Sequence, residues 1–138
     1  MPADVFLDTN VLIYSFTEHG AKTAVAESLL MGGCAVGVQS LNELVSVSIR
    51  KLRKPWADIL SWLTVIHKLC PPPVPLTQAV HYRGLHIAQA HGYHIYDSLL
   101  LAAAIESGCS VFYSEDLQDG HVIEGLTIRN PFAADHTT

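Results

Sequence analysis

Short, almost wholly apolar segments of strand length alternate with longer helical patterns along this chain, and that alternation leaves few folds open. The strand candidates are Val5-Phe6-Leu7, residues 35–38 (Ala-Val-Gly-Val), residues 74–76, Val111-Phe112-Tyr113 and residues 126–128. A strand without polar alternation is buried on both faces, as in a parallel sheet covered by helices. Helical patterns fall between them at 10–16, 21–31, 41–52, 56–69, 77–90 and 96–107. The third of these places Leu41, Leu44, Val45, Ser48, Ile49 and Leu52 on one face. Gly32-Gly33, Gly92 and Gly108 stop helices, Pro55 opens one and Thr77 caps one. Pro71-Pro72-Pro73 forbids helix and sheet alike, and Pro75 pushes its strand to a sheet edge. The expected fold is a three-layer α/β/α domain on a central, mostly parallel five-stranded sheet with right-handed crossovers. It spans 1–131, followed by a poorly ordered tail at 132–138 that is already loosening from Asn130.

The composition narrows the partners. A length of 138 residues suits one core, and 49% hydrophobic with 15% charged residues is an ordinary globular balance. The net charge of −5 excludes a non-specific polyanion binder. Four of the eight basic residues nevertheless sit together as Arg50, Lys51, Arg53 and Lys54. Such a run is ordinarily a solvated helix end, favoured there by the dipole, with phosphate contact as its second use. The amino terminus has no basic stretch and carries Asp4 and Asp8, so it does not read as a signal peptide. The longest apolar run, 99–105, falls far short of the roughly 20 residues a membrane span needs. Cys34, Cys70 and Cys109 form no CxxC pair and read as buried thiols of a reducing cytosol. A cytoplasmic protein is therefore expected.

Four acids carry the functional signal. Asp8 ends the first strand candidate, Glu43 lies just past the second, Asp97 opens the helix at 96–107, and Asp116 follows the fourth strand candidate. In an open α/β sheet, ligands bind at the carboxyl ends of the strands, so the topology gathers these acids on one rim. Each has a bland alternative. Asp8-Thr9-Asn10 suits a strand-to-helix turn. Ser40-Leu41-Asn42-Glu43 has the pattern of a capping box, with Ser40 as cap. Asp97 complements its helix dipole, and Ser114-Glu115-Asp116 suits a turn. Asp97 is the least comfortable as a structural residue, since its helix looks buried and a buried carboxylate must be paired, hydrogen-bonded or metal-bound. Together, crowded carboxylates need protons or cations between them, and hard oxygen ligands favour Mg2+ or Mn2+.

These residues also resemble a family. Phe6-Leu7-Asp8-Thr9-Asn10-Val11-Leu12, Glu43, Tyr96-Asp97-Ser98-Leu99-Leu100 and Tyr113-Ser114-Glu115-Asp116 look like the motifs of the PIN domain, closest to the single-domain VapC-type ribonuclease toxins. The resemblance runs from Val5 to about Pro131 and is specific through the order and spacing of the motifs. It implies a metal-dependent endoribonuclease with Asp8, Glu43, Asp97 and Asp116 as the acidic quartet. Asp8, Asp97 and Asp116 would hold Mg2+ or Mn2+, Glu43 would be a ligand or orient the water, and Asn10 and Ser114 would be accessory. It further implies an RNA substrate, a homodimer and a cognate antitoxin protein. Asp119 has no counterpart in the motifs.

Other readings compete. His86, His91 and His94 suggest zinc, but their spacing spreads them over different helix faces and across Gly92, so helix-end histidines are the better account. Trp56 and Trp62 read as core or interface. An Asp-nucleophile phosphatase would want a second Asp where Asn10 stands, and a Lys near residues 111–119, which have none. A non-catalytic RNA- or protein-binding module on the same fold has no need of clustered carboxylates. Met31, Leu60, Leu63, Val65 and Ile66 are more apolar surface than so small a sheet covers, which points to a protein partner.

Overall fold

The computed structural model describes residues 3–133. Along the chain lie β1 (Val5–Leu7), α1 (Thr9–Tyr14), α2 (Ala21–Met31), α3 (Val38–Arg50), α4 (Trp56–Leu69), α5 (Gln78–His91), α6 (Ile95–Glu106), β2 (Val111–Tyr113), β3 (Val122–Ile123) and β4 (Leu126–Arg129). The sheet has the order β1-β2-β4-β3. β1, β2 and β4 are parallel, with Phe6 opposite Phe112 and Phe112 opposite Ile128, while β3 runs antiparallel to β4.

Strand alternation sorts the core into two clusters. Phe6, Phe112 and Ile128 face α5 and α6, and the Phe6 and Phe112 rings stack at 5.5 Å. Leu7 faces the opposite way, against Val11, Leu30, Leu44, Ile59 and Ile66 from α1 to α4. Two helical layers thus enclose one sheet, and the middle of α6, from Ser98 to Ala104, is buried. α5 approaches α6 at Gly84, where an added Cβ would lie 2.7 Å from Leu99 Cδ2. Only a residue without a side chain allows that contact.

The sheet has four strands rather than the expected five. Residues 35–38 form only two isolated bridges, Ala35 with Phe6 and Gly37 with Val74, and the second is the one bridge of residues 74–76. The cause is local. Helix α3 begins already at Val38, with Gly37 as its cap, so the second segment has no length left to pair. Pro73 and Pro75 flank Val74 and carry no N–H, so from 73 to 75 only Val74 N–H can join a ladder, and it donates to Val36 O at 2.9 Å. The hairpin strand β3 was not expected at all. Its turn uses Glu124 and Gly125, both at positive φ.

Helix ends agree with expectation at Thr77, whose hydroxyl accepts from Val80 N–H, and at Gly92, which is left-handed. Pro55 caps α4 instead of entering its first turn. All three cysteines are free and buried, with Cys34 and Cys70 Sγ 3.7 Å apart. Trp62 stacks on Phe16 at 5.4 Å as a core residue, whereas Trp56 is exposed. The expected loosening from Asn130 is not seen as far as Phe132. Asn130 N–H donates to Asp119, Phe132 N–H donates to the Asn130 side chain, and the Phe132 ring meets Tyr14 edge-on. The rest of the expected tail, 134–138, lies outside the described residues. Among the described residues no helix is long and apolar enough to cross a membrane.

Candidate active site

The rim at the carboxyl ends of β1 and β2 is built around Asp8. Its N–H continues the ladder to Tyr113 O at 3.0 Å. Its Oδ1 accepts from Thr9 N–H at 2.7 Å, which makes Asp8 the cap of α1, and its Oδ2 accepts from the Ser114 hydroxyl at 2.8 Å. The capping role and a site role therefore coexist, on different oxygens. Ser114 lies past the end of β2, and its Oγ also accepts from Asp116 N–H at 3.1 Å and Leu117 N–H at 3.4 Å. One buried hydroxyl thus ties two acid-bearing segments together. Asn10, one turn residue further, donates from Nδ2 to Asp116 Oδ2 at 2.8 Å.

Glu43 reaches the same rim from α3. The expected capping box is displaced by three residues. Gly37 is the cap, its N–H donates to Ser40 Oγ at 3.0 Å, and Glu43 is the sixth helical residue rather than the third. Freed from capping, the Glu43 carboxylate accepts from Thr9 Oγ1 at 3.3 Å and from Gln39 Nε2 at 2.9 Å. Thr9 thereby links Asp8 to Glu43. Asp97 is the third residue of α6. It is half-buried, not enclosed as expected; the enclosed acid is Asp8, 5% exposed.

The electrostatics follow from this placement. Burial pushes the Asp8 carboxyl up to about 7, with Asp97 and Asp116 adding to the rise and the hydrogen bonds from Ser114 and Thr9 opposing it. Burial also raises Glu43, against the hydrogen bonds from Gln39 and Thr9, and the charge of Asp97 adds to the rise. Asp97 is raised by burial and by Asp116, while His94 pulls it down. Among the described residues no lysine or arginine forms an ion pair with any of the four acids. Nor do three His, Cys, Asp or Glu side chains stand together in a ligating array. The acids are neighbours spaced by Thr9, Asn10 and Ser114 rather than a closed cage.

His94, expected as a helix-end histidine, is one and also joins the rim, whereas Glu115 and Asp119 do not. His94 caps α6 through Nδ1, which accepts from Tyr96 N–H at 3.2 Å, and it lies close enough that a charge on it lowers both Glu43 and Asp97. Its spacing of three before Asp97 was the available signal. Glu115 is diverted from the cluster. Burial pushes it up, but the Lys22 ammonium at 2.7 Å and the Tyr14 hydroxyl outweigh this and hold it below the usual range. The same hydrogen bond raises Tyr14 to about 12. Asp119 serves the backbone, accepting from Asn130 N–H at 2.9 Å. The other histidines are elsewhere: the His91 ring meets Tyr93 and His121, and His86 lies beside Tyr82 and Arg83 on α5. Arg50, Lys51 and Arg53 are exposed and Lys54 is half-buried at the far end of α3.

A doubly covered parallel sheet with acids converging from four segments on one rim defines a class, and the comparisons agree. The chain belongs to the PIN domain family, whose model matches residues 5–118. Among curated proteins none matches the chain in sequence. Among solved structures, a toxin–antitoxin complex from Klebsiella pneumoniae is similar at a TM-score of 0.70 and 18% identity, over 93% of this chain and 98% of that one. VapC20 of Mycobacterium tuberculosis, a toxin that cleaves the sarcin–ricin loop, is similar at 0.65 and 14%, over 81% and 89%. VapBC2 of Rickettsia felis, bound to a promoter DNA fragment, is similar at 0.65 and 18%, over 91% and 97%. These likenesses show the fold.

Proposed function

We propose that this chain is a divalent-metal-dependent endoribonuclease of the VapC toxin class, acting at the rim formed by Asp8, Glu43, Asp97 and Asp116. The observation that carries this reading is a buried Asp8, held by Ser114 and Thr9, with Asp97 and Asp116 raising its carboxyl further and, among the described residues, no basic side chain paired to it. Hard carboxylate oxygens with unbalanced charge fit Mg2+ or Mn2+. Asp8, Asp97 and Asp116 would hold the ion, and when bound it would supply an activated water and charge stabilisation at the phosphate.

The chain's own residues prepare that site. Ser114 and Thr9 N–H fix both Asp8 oxygens, so the carboxylate does not rotate away. Asn10 holds one oxygen of Asp116 and leaves the other open. Gln39 and Thr9 aim Glu43 across the rim, where its raised carboxyl suits it to ligate the ion or to orient the attacking water. Near neutral pH Asp8 is partly protonated, and a bound cation would displace that proton.

The test is cleavage of an RNA panel with Mg2+ or Mn2+, with Asp97→Asn as control. Metal-dependent cutting that disappears in Asp97→Asn supports the reading; cutting unchanged in EDTA or in the variant defeats it. The similar toxin–antitoxin complex supports an antitoxin as partner; the PIN-domain resemblance adds a cytoplasmic homodimer that this antitoxin keeps silent. Exposed Met31 on α2 and Trp56 and Leu60 on α4 offer apolar surface for such contacts. An antitoxin that brings a basic side chain to the rim competes with the metal, so its affinity should fall as Mg2+ rises. Co-expression with the product of the adjacent reading frame tests this. A tagged protein that emerges alone, monomeric and harmless to its host removes the toxin assignment and leaves the nuclease standing.

A further inference from the structure

We propose that His94 is a substrate-contacting residue whose Nε2–H donates to a phosphate oxygen of the RNA at the acidic rim. This rests on the nuclease reading of that rim and deepens it by assigning the group that receives the polyanion there.

The geometry divides the imidazole into two ends with two tasks. Nδ1 is spent inside the protein, accepting from Tyr96 N–H at 3.2 Å as the cap of α6. A neutral imidazole whose Nδ1 accepts carries its proton on Nε2, and a charged one carries a proton on both nitrogens. Nε2 is a donor in either state, but only the neutral ring can accept at Nδ1, so the capped ring is the neutral one with its proton on Nε2. The residue is exposed, so the donor is open to a ligand. The cap and the third helical residue share the first turn of α6, which puts the ring beside Asp97. A positive charge on the ring would lower Glu43 on α3 as well as Asp97, so the ring lies within electrostatic reach of both acids.

The need for such a group follows from the charge balance. RNA must bring a phosphate to a rim of four carboxylates that has no lysine or arginine paired to it among the described residues. Arg50 lies two helical turns beyond Glu43, roughly 10 Å along α3. Lys22 is committed to Glu115 at 2.7 Å. His94 is the basic side chain whose position on α6 and electrostatic reach both place it among the acids. The exposed Tyr96 ring, tilted 5.4 Å from it, adds an aromatic face beside the donor, suited to a base next to that phosphate.

Two substitutions separate the two ends of the ring. In His94→Asn the amide oxygen stands where Nδ1 does and is among the best helix caps, but the side chain is too short to supply the outer donor. In His94→Gln the amide nitrogen stands near Nε2, while the cap is weakened. The measurements are melting temperature, dissociation constant for a 2′-O-methyl RNA in EDTA, and KM and kcat for a cleavable RNA with Mn2+. His94→Asn should keep the melting temperature, weaken RNA binding in EDTA about tenfold and raise KM by about the same factor, as loss of one charge-assisted donor implies. His94→Gln should melt earlier and keep affinity within about threefold, less than one neutral hydrogen bond is worth. Wild-type affinity and KM in His94→Asn would overturn the proposal and leave His94 as a cap. Should His94→Gln not fold, His94→Asn decides alone. A wild-type protein that neither binds nor cuts RNA overturns the nuclease reading itself, a result distinct from a cutting enzyme indifferent to His94→Asn.

Discussion

At neutral pH Asp8 stands near the midpoint of its titration, since burial raises its carboxyl to about 7. The consequence for stability has a definite sign. Its ordinary value is 3.8, so between about pH 4 and pH 7 the folded chain holds a proton there that the unfolded chain has released. Folded protein binds more protons across that window, so stability falls as pH rises through it. A shift of about three units corresponds to on the order of 4 kcal/mol at most. Asp8→Asn removes this cost. We expect the metal-free variant to be more stable than wild type above pH 7, by a few kcal/mol, with the difference shrinking toward pH 4. Urea unfolding at several pH values checks it, together with loss of metal-dependent cleavage; a variant less stable than wild type at pH 8 contradicts the placement of Asp8. Ser114→Ala should act oppositely. It removes the donor to Asp8 and the acceptor for two backbone N–H groups, so we expect a loss of about 1–3 kcal/mol. Equilibrium unfolding at fixed pH measures this, and an unchanged midpoint would show that Ser114 is dispensable.

Elements show where sequence was readable and where tertiary structure overruled it. Helices with strong periodicity and local stops, such as those ending at Gly92 and capped at Thr77, were legible because their signals lie within a few residues. Residues 35–38 look like a strand by composition, yet Gly37 caps α3 and takes Val38 into a helix. The same shift moved Glu43 from a first-turn capping position to one that faces Thr9, so its place on the rim comes from a tertiary contact and not from a strand end. β3 escaped notice because its two residues carry no periodicity, and its turn depends on positive φ at Glu124 as well as Gly125. Three acids were legible because a strand end or helix start fixes each directly. His94 was not, because histidine is not among the common helix caps and its reach to Glu43 depends on α3 lying near α6. Close approach also governs α5 and α6. Gly84→Ala puts a Cβ 2.7 Å from Leu99 Cδ2 and 3.3 Å from its Cα, and the latter atom cannot rotate aside. Helix propensity alone would make that change stabilising by up to about 1 kcal/mol. We expect overpacking to win, with a net loss of about 1–2 kcal/mol. A melting temperature at or above wild type would show that the two helices separate freely.

For the whole molecule the proposed function poses the problem of how an acidic domain would attract RNA. With a net charge of −5, long-range attraction must come from an uneven distribution of the basic residues. Arg50, Lys51, Arg53 and Lys54 supply it at the far end of α3, none of them in an ion pair among the described residues. Arg50 is seven residues after Glu43, so both lie on nearly the same helix face. A strand laid along that face would meet the basic end first and the acidic rim about two turns later. On the proposed function this would give α3 a direction: the cluster would gather phosphates, and the rim would act on one of them. The competing account, a solvated helix end favoured by its dipole, predicts no effect on RNA. Arg50→Ala with Lys51→Ala separates the two. Each phosphate contact to single-stranded RNA contributes about 0.7 to the slope of log affinity against log salt, so the double variant should flatten that slope by about 1.4. Its affinity should converge on wild type at high salt, and kcat at saturating RNA should hold, because the acids are untouched. An unchanged slope returns the cluster to the dipole. A slope that flattens together with a collapse of kcat would place the cluster at the reacting phosphate instead, against the distance that α3 sets between them.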